Sequence, residues 1–336
     1  MREPLPVHGF GGAAIGNLYR AVANEEAIAA VHAALDGGFG LIDTAPYYGH
    51  GLSEMRIGAA LAAWQGGRPV ISTKVGRVLE PAEPGDAGDF GFVEPLPLRP
   101  RFDYSRDGIR RSLHDSLARL GVQKLDIALI HDIGALTHGA SADVILRQVL
   151  GEALPALRDA RAEGLVDRIG IGVNEWEVCL EVLAHADIDV ILLAGRYTLF
   201  EQPVLRSPLF DVCLARGIRV MAAGVFNSGL LASRPSHTST YDYKPASDEA
   251  VARAGMLWGI CARHGVAPQA AALQFPAAHP AVSTVLVGAR SPVEIAEILA
   301  WRGMNIPAEL WRELKQAGLI ADNAPVPDLQ EKQRCV

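Results

Sequence analysis

At 336 residues and 49% hydrophobic, the chain can bury a large core, and the length suits a single α/β domain. A net charge of −7 argues against a nucleic-acid or anionic-membrane surface, where a basic stripe is expected. No run approaches eighteen apolar residues and the amino terminus lacks a long apolar stretch, so soluble small-molecule chemistry in the cytoplasm, with no membrane span, is the expectation.

In chain order, strand-like apolar runs fall at 39–42, 70–72, 125–130, 168–173, 189–193, 218–222 and 284–287, with a first strand near 13–17. Between them, Ala- and Leu-rich segments of helical period fall at 25–35, 53–61, 106–120, 145–162, 177–184, 204–215 and 248–264. Strands alternating with helices require a parallel sheet, because each crossover must return to the same end. Eight of them predict an α/β fold of the (β/α)8 TIM-barrel type over residues 1–320, with 321–336 as a polar, Pro-containing tail. Two long segments interrupt the repeat: 80–101, rich in Pro, Gly and acidic residues, and 232–247, rich in Ser, Thr, Pro and Tyr. Both leave the catalytic end, which favours substrate-covering roles. The cysteines Cys179, Cys213, Cys261 and Cys335 are widely spaced, with no Cys-x-x-Cys, and read as reduced and structurally incidental.

Three of the predicted strands end abruptly in titratable side chains: Leu41-Ile42-Asp43, Val70-Ile71-Ser72-Thr73-Lys74 and Ile127-Ala128-Leu129-Ile130-His131. Lysine is scarce, with Lys74 alone among the first 123 residues. A partly desolvated lysine needs an anionic partner or a task, since burial alone drives it neutral. Asp43, ending the preceding strand, is that partner; a purely structural ion pair is the competing reading. A tyrosine beside such a cation has its pKa lowered and becomes a proton donor and acceptor. Tyr47 and Tyr48 both lie on the loop after Asp43, and chemistry alone does not choose between them. His131 adds a group able to hydrogen-bond a substrate oxygen. His50, His114 and His138 lack metal-ligand spacing with Asp43 or Asp132, and no metal is expected. Gly9 to Ala14 resembles a degenerate dinucleotide fingerprint, but it lacks a preceding strand and a helix opening from it.

The Asp43-Thr44-Ala45-Pro46-Tyr47-Tyr48-Gly49 segment, the Ser72-Thr73-Lys74 strand end and the Leu129-Ile130-His131 strand, in this order, resemble the aldo-keto reductase superfamily from about Gly9 to about Leu319. Gly172 to Trp176, Ala194 to Leu199, Phe226 to Gly229 and Gln274 to Pro276 resemble, within it, the bacterial L-fucose or D-threo-aldose 1-dehydrogenases, with pyridoxal 4-dehydrogenases close. The resemblance implies a nicotinamide-dependent oxidoreductase acting on a small sugar or aldehyde. It assigns the proton transfer to Tyr48, with Lys74 tuning it, Asp43 holding Lys74 and His131 orienting substrate. Oxidation of an aldose at C1 to its lactone is the expected reaction, with pyridoxal oxidation or general aldehyde reduction as alternatives. A non-catalytic binding barrel and metal-assisted hydrolysis are the readings from other classes.

The resemblance further implies cofactor contacts from Gly11, Gly12, Asn174, Gly288, Arg290, Ser291, Glu294 and Glu297. Asn174-Glu175 replaces the Ser-Asn common in the wider superfamily, and Ala194 and Ala223 stand where a glutamine and an aromatic ring are usual. After the last strand, Ser291 reads as a helix cap, Pro292 as the first helical residue and Glu294 as its capping partner. Such an amino terminus suits a phosphate, while Glu294 stands where NADP-using relatives often carry arginine or glutamine. The expectation is therefore NAD in preference to NADP, with a purely capping Glu294 and a phosphate-clamping Arg290 as competing readings.

Overall fold

Apolar runs bounded by Gly, Pro and Asp form the strands. The computed structural model describes residues 3–82, 91–242 and 244–327. The strands are β1 (His8–Gly11), β2 (Leu41–Asp43), β3 (Val70–Val75), β4 (Arg77–Pro81), β5 (Leu98–Phe102), β6 (Leu125–His131), β7 (Val166–Val173), β8 (Val190–Ala194), β9 (Arg219–Ala223), β10 (Thr240–Tyr241), β11 (Lys244–Pro245) and β12 (Val282–Val287). Eight of them close a barrel in the order β1-β12-β9-β8-β7-β6-β3-β2. The helices are α1 (Asn24–Asp36), α2 (Leu52–Ala63), α3 (Arg106–Leu120), α4 (Ala135–His138), α5 (Ala142–Gln148), α6 (Leu154–Ala162), α7 (Glu177–His185), α8 (Leu209–Arg216), α9 (Asp248–Arg263), α10 (Pro268–Gln274), α11 (Pro292–Gly303) and α12 (Ala308–Gln316). The expected (β/α)8 barrel is therefore the observed fold.

Packing groups the chain into two compact units, one running to Leu192 and including Gly288–Ala296, the other comprising Leu193–Val287 and the chain from Glu297. In the first, Gly11 lies opposite Asp43, Asp43 opposite Ser72, Lys74 opposite Leu129 and His131 opposite Gly172 in parallel register. That register delivers Asp43, Lys74 and His131 to the carboxyl ends of three neighbouring strands, β2, β3 and β6. Phe10, Ile42, Ile71 and Leu129 are fully buried behind them. In the second unit β9 and β12 pair in parallel, and Tyr197, Phe275 and Trp311 are buried. Its carboxyl-terminal segment is tied down where it is described. Gln202 Oε1 accepts from the Ala321 amide at 3.2 Å, and Lys315 donates to the Asp322 carbonyl at 2.7 Å.

Several expectations need correction. The first barrel strand is His8–Gly11, and the segment expected as a strand near 13–17 contains a 3-10 turn at Ala14–Gly16. The Arg56 guanidinium accounts for this, because it binds the Ile15 carbonyl, the Asn17 side chain and the Val22 carbonyl and so bends the backbone around itself. The helix expected over 145–162 contains a widened π turn at Val149–Ala153. Pro155, one residue into α6, has no N–H to return to the preceding turn. The helix expected over 204–215 is broken before Leu209, where Pro208 restricts Ser207 to extended backbone. Both long interruptions carry antiparallel pairs, β4 with β5 and β10 with β11, although residues 83–90 and 243 lie outside the described residues.

Candidate active site

Asp43 ends β2 almost fully buried. Its Oδ1 accepts from the Ser72 hydroxyl at 2.7 Å and its Oδ2 from Lys74 Nζ at 2.6 Å. Lys74, 2% exposed, also donates to the Thr44 carbonyl at 2.9 Å, and its ammonium stands 4.8 Å from the centre of the Tyr48 ring. Burial works against the Lys74 charge, but the Asp43 carboxylate and the Tyr48 hydroxyl outweigh it and hold the ammonium above its ordinary pKa. Burial pushes Tyr48 above the ordinary phenol value, and Lys74 is the chief group pulling it down. The net direction is thus opposite to that expected from the cation alone, because the ring is enclosed; at neutral pH Tyr48 is a protonated acid with a cation placed to receive its phenolate.

The two adjacent tyrosines have different partners. Tyr47 lies against Arg77, whose guanidinium carbon is 3.9 Å from the ring centre, while Lys74 serves Tyr48. Both rings approach His131 edge-on at 6.2 Å. Phe92, from the first long interruption, packs 5.2 Å from Tyr47 and 6.1 Å from Tyr48, ring centre to ring centre. His131 is held neutral, its pKa lowered well below the ordinary histidine value by burial and by the Arg77 and Lys74 cations.

The residues Arg77, Asp132, Ser72 and Tyr104 complete the cluster and were not singled out as site residues from the sequence. Gly76, at φ 96°, turns the chain out of β3 and sets Arg77 behind Lys74, and a Cβ there would meet the Tyr104 ring at 2.7 Å. Arg77 pairs with Asp132, and the Tyr104 hydroxyl donates to the carbonyls of His131 and Asp132 at 2.7 and 2.9 Å. The signal available in the sequence was adjacency: Arg77 follows Lys74 by three positions and Asp132 follows His131 directly. His114 is exposed on α3, His138 contacts the Tyr104 hydroxyl at 3.0 Å, and His50 is buried against the backbone of Leu96 and Leu98. Among the described residues no group of three or more His, Cys, Asp or Glu could hold a metal ion. The described cysteines, Cys179, Cys213 and Cys261, are buried and form no disulfide among the described residues. No helix of the described residues is long and apolar enough to cross a membrane.

The expected cofactor residues are distributed differently. A Cβ on Gly12 would meet Ser53 Oγ at 2.6 Å, and one on Gly288 would meet the Gly11 carbonyl at 3.0 Å, so tight local packing favours glycine at both. Asn174 donates to Asp132 Oδ1 at 3.4 Å. At α11 the expected cap forms: Ser291 Oγ accepts the Glu294 amide at 3.2 Å, and Glu294 Oε2 accepts the Arg290 amide at 2.7 Å. The Glu294 carboxylate lies 3.8 Å from the Arg290 guanidinium and 3.9 Å from that of Arg20. Arg290 Nε is buried without a partner among the described residues, a spare donor at a helix amino terminus that suits an anionic group. Glu297 is exposed on the same helix.

The aldo/keto reductase family model matches residues 9–318. The chain belongs to this family. Aldo/keto reductases are oxidoreductases of small aldehydes or sugars that use nicotinamide cofactors. Among curated relatives, pyridoxal 4-dehydrogenase of Microbacterium luteolum is 40% identical over 93% of this chain and 94% of its own length. D-threo-aldose 1-dehydrogenase of a Pseudomonas species is likewise 40% identical, over 94% of this chain and 95% of its own. Among solved structures, the glycerol dehydrogenase AKR11B4 of Gluconobacter oxydans superposes with a TM-score of 0.73 at 23% identity, covering 98% of this chain and 95% of that one, a likeness of fold.

Proposed function

We propose that this aldo/keto reductase removes hydride from the hemiacetal C1 of an aldose of the L-fucose type and releases the corresponding lactone. The observation that carries the reading is the buried Lys74 ammonium bridging Asp43 and Tyr48. In oxidation Tyr48 takes the proton of the C1 hydroxyl, Lys74 stabilises the phenolate through which it acts, Asp43 and Ser72 keep Lys74 in place, and neutral His131 hydrogen-bonds a substrate oxygen. The bound nicotinamide supplies the hydride acceptor. Arg290, with its spare donor, Ser291 and the amino terminus of α11 would hold its phosphates, with Gly11, Gly12, Gly288 and Asn174 at the barrel mouth. Glu294 and Glu297 add negative charge to α11, and Glu294 would accept a hydrogen bond from a free adenosine 2′-hydroxyl and repel a 2′-phosphate, which supports NAD over NADP.

Pyridoxal oxidation is the second reading, favoured by the equal identity of the pyridoxal 4-dehydrogenase. Pyridoxal carries a hydroxymethyl group beside its aldehyde and closes to a cyclic hemiacetal, so the same proton path serves both substrates. Initial rates with NAD and with NADP against L-fucose, D-arabinose, L-galactose, L-xylose and pyridoxal test these readings. The sugar reading requires an aldose to give the highest kcat/KM with NAD; a preference for pyridoxal selects the second, and turnover of open-chain aldehydes alone contradicts both.

A further inference from the structure

Phe92 packs beside the proton path, and the reaction scheme above gives it no task. Its ring centre lies 5.2 Å from that of Tyr47, at an interplanar angle of 89°, 6.1 Å from that of Tyr48 and 6.5 Å from that of His50. His50 is buried, whereas Phe92, Tyr47 and Tyr48 all keep part of their surface exposed. We propose that Phe92 is a specificity-determining residue, the apolar wall on which a cyclic sugar lays a C–H face while its C1 hydroxyl meets Tyr48.

The ring is placed by backbone contacts on both sides of it. Leu18 and Phe92 form an isolated antiparallel bridge. Around it the Tyr19 amide donates to the Gly91 carbonyl at 3.0 Å, and the Val93 amide to the Asn17 carbonyl at 2.9 Å. Further along, the Leu96 amide donates to the carbonyl of Gly49, the residue after Tyr48, at 3.1 Å. Asn17 is itself held at φ 69°, its Oδ1 accepting from Arg56 at 2.8 Å and from the Val22 amide at 3.0 Å. The segment 91–96 is thus tied both to the loop after β1 and to the turn that carries the tyrosines. A wall fixed in this way loses little freedom when a ligand meets it.

Small-molecule sites set a few fixed polar groups against apolar surface. Here the polar groups are those of the proton path, and the exposed part of Phe92 supplies the apolar surface. A pyranose is divided in the same manner: hydroxyls project around its rim, and its axial C–H groups, slightly positive, suit the negative face of an aromatic ring. An open-chain polyol carries hydroxyls on every side of a flexible chain and keeps no lasting apolar face. Phe92 therefore selects the ring form, the hemiacetal whose oxidation gives a lactone, and the inference rests on the sugar reading. The competing role, pressing on the tyrosines without touching substrate, needs bulk and no π face, so leucine would fill it.

The test compares binding of two ligands, the L-fucose analogue that lacks the C1 hydroxyl and the open-chain L-fucitol, by NMR titration with saturating NADH and with saturating NADPH, so that neither ligand is oxidised. The wild type is expected to bind the ring analogue more tightly than L-fucitol. Phe92→Ala and Phe92→Leu should each weaken the ring analogue about tenfold and leave L-fucitol unchanged, while Phe92→Tyr should keep wild-type affinity. In turnover of L-fucose, Phe92→Ala should raise KM by the same factor with kcat and its pH profile unchanged, the signature of binding lost equally from substrate and transition state. No preference for the ring analogue in the wild type, wild-type affinity in Phe92→Leu, or a loss confined to kcat overturns the proposal. The analogue has no reacting hydroxyl, so Phe92-dependent binding without lactone formation sinks the sugar reaction and keeps the wall, whereas lactone formation indifferent to Phe92 does the reverse.

Discussion

Tyr47 and Tyr48 are neighbours of identical chemistry, and the cation each meets separates them: Arg77, already neutralised by Asp132, for Tyr47, and Lys74 for Tyr48. Tyr48→Phe should therefore lower kcat by roughly 100-fold or more with cofactor affinity nearly unchanged, while Tyr47→Phe should keep most activity. Steady-state kinetics with a parallel cofactor titration would read this, and an inactive Tyr47→Phe beside an active Tyr48→Phe would move the role. Lys74 is the chief group pulling the Tyr48 pKa down against burial. Removing it in Lys74→Met raises that pKa further, and because oxidation needs the phenolate, the rising limb of the pH–rate profile should shift to higher pH with a reduced rate. Asp43→Asn should act in the same direction more mildly; unchanged profiles in both variants would refute this proton path. Asp43, Lys74 and His131 were legible in the sequence because each ends an apolar strand. The choice of Tyr48 came from the family motif, and Arg77 and Asp132 escaped because their meaning lies in a contact across 55 residues.

At the scale of elements, the loop after β1 is organised by one side chain. Arg56 on α2 is 6% exposed and donates to Asn24 Oδ1 at 2.9 Å, the Ile15 carbonyl at 2.6 Å, Asn17 Oδ1 at 2.8 Å and the Val22 carbonyl at 2.6 Å. Arg56→Ala strands these acceptors, and denaturant unfolding should register a loss of about 2–4 kcal/mol; a loss below about 0.5 kcal/mol, the usual range of a surface substitution, would refute the role. No local pattern in residues 13–17 announces a partner 41 residues away, which is why an apolar run there reads as a strand. The barrel strands were legible because each is a continuous apolar run, whereas β4 and β5 are held by an antiparallel register across a Pro- and Gly-rich segment that local composition marks only as a loop. At α11, Glu294 serves the helix cap and, in the proposed function, the cofactor preference. Glu294→Arg should raise catalytic efficiency with NADP relative to NAD while weakening the cap by about 1 kcal/mol. An unchanged cofactor ratio would leave Glu294 with capping alone.

At the scale of the whole molecule, the family match spans residues 9–318, nearly the entire chain. Oxidation at a hemiacetal carbon breaks one C–H and one O–H bond: the hydride goes to the nicotinamide, the proton leaves by way of Tyr48, and the carbon becomes the carbonyl of a lactone. Reduction by an ordinary aldehyde reductase runs the other way and ends in an open-chain alditol. The measurement that separates them most directly is NMR of the products formed from L-fucose deuterated at C1 in the presence of NAD. The account predicts a lactone that hydrolyses to the aldonic acid, with the deuterium recovered on the reduced nicotinamide. Failure to transfer deuterium or form lactone, together with alditol formation when NADPH is supplied, would contradict it.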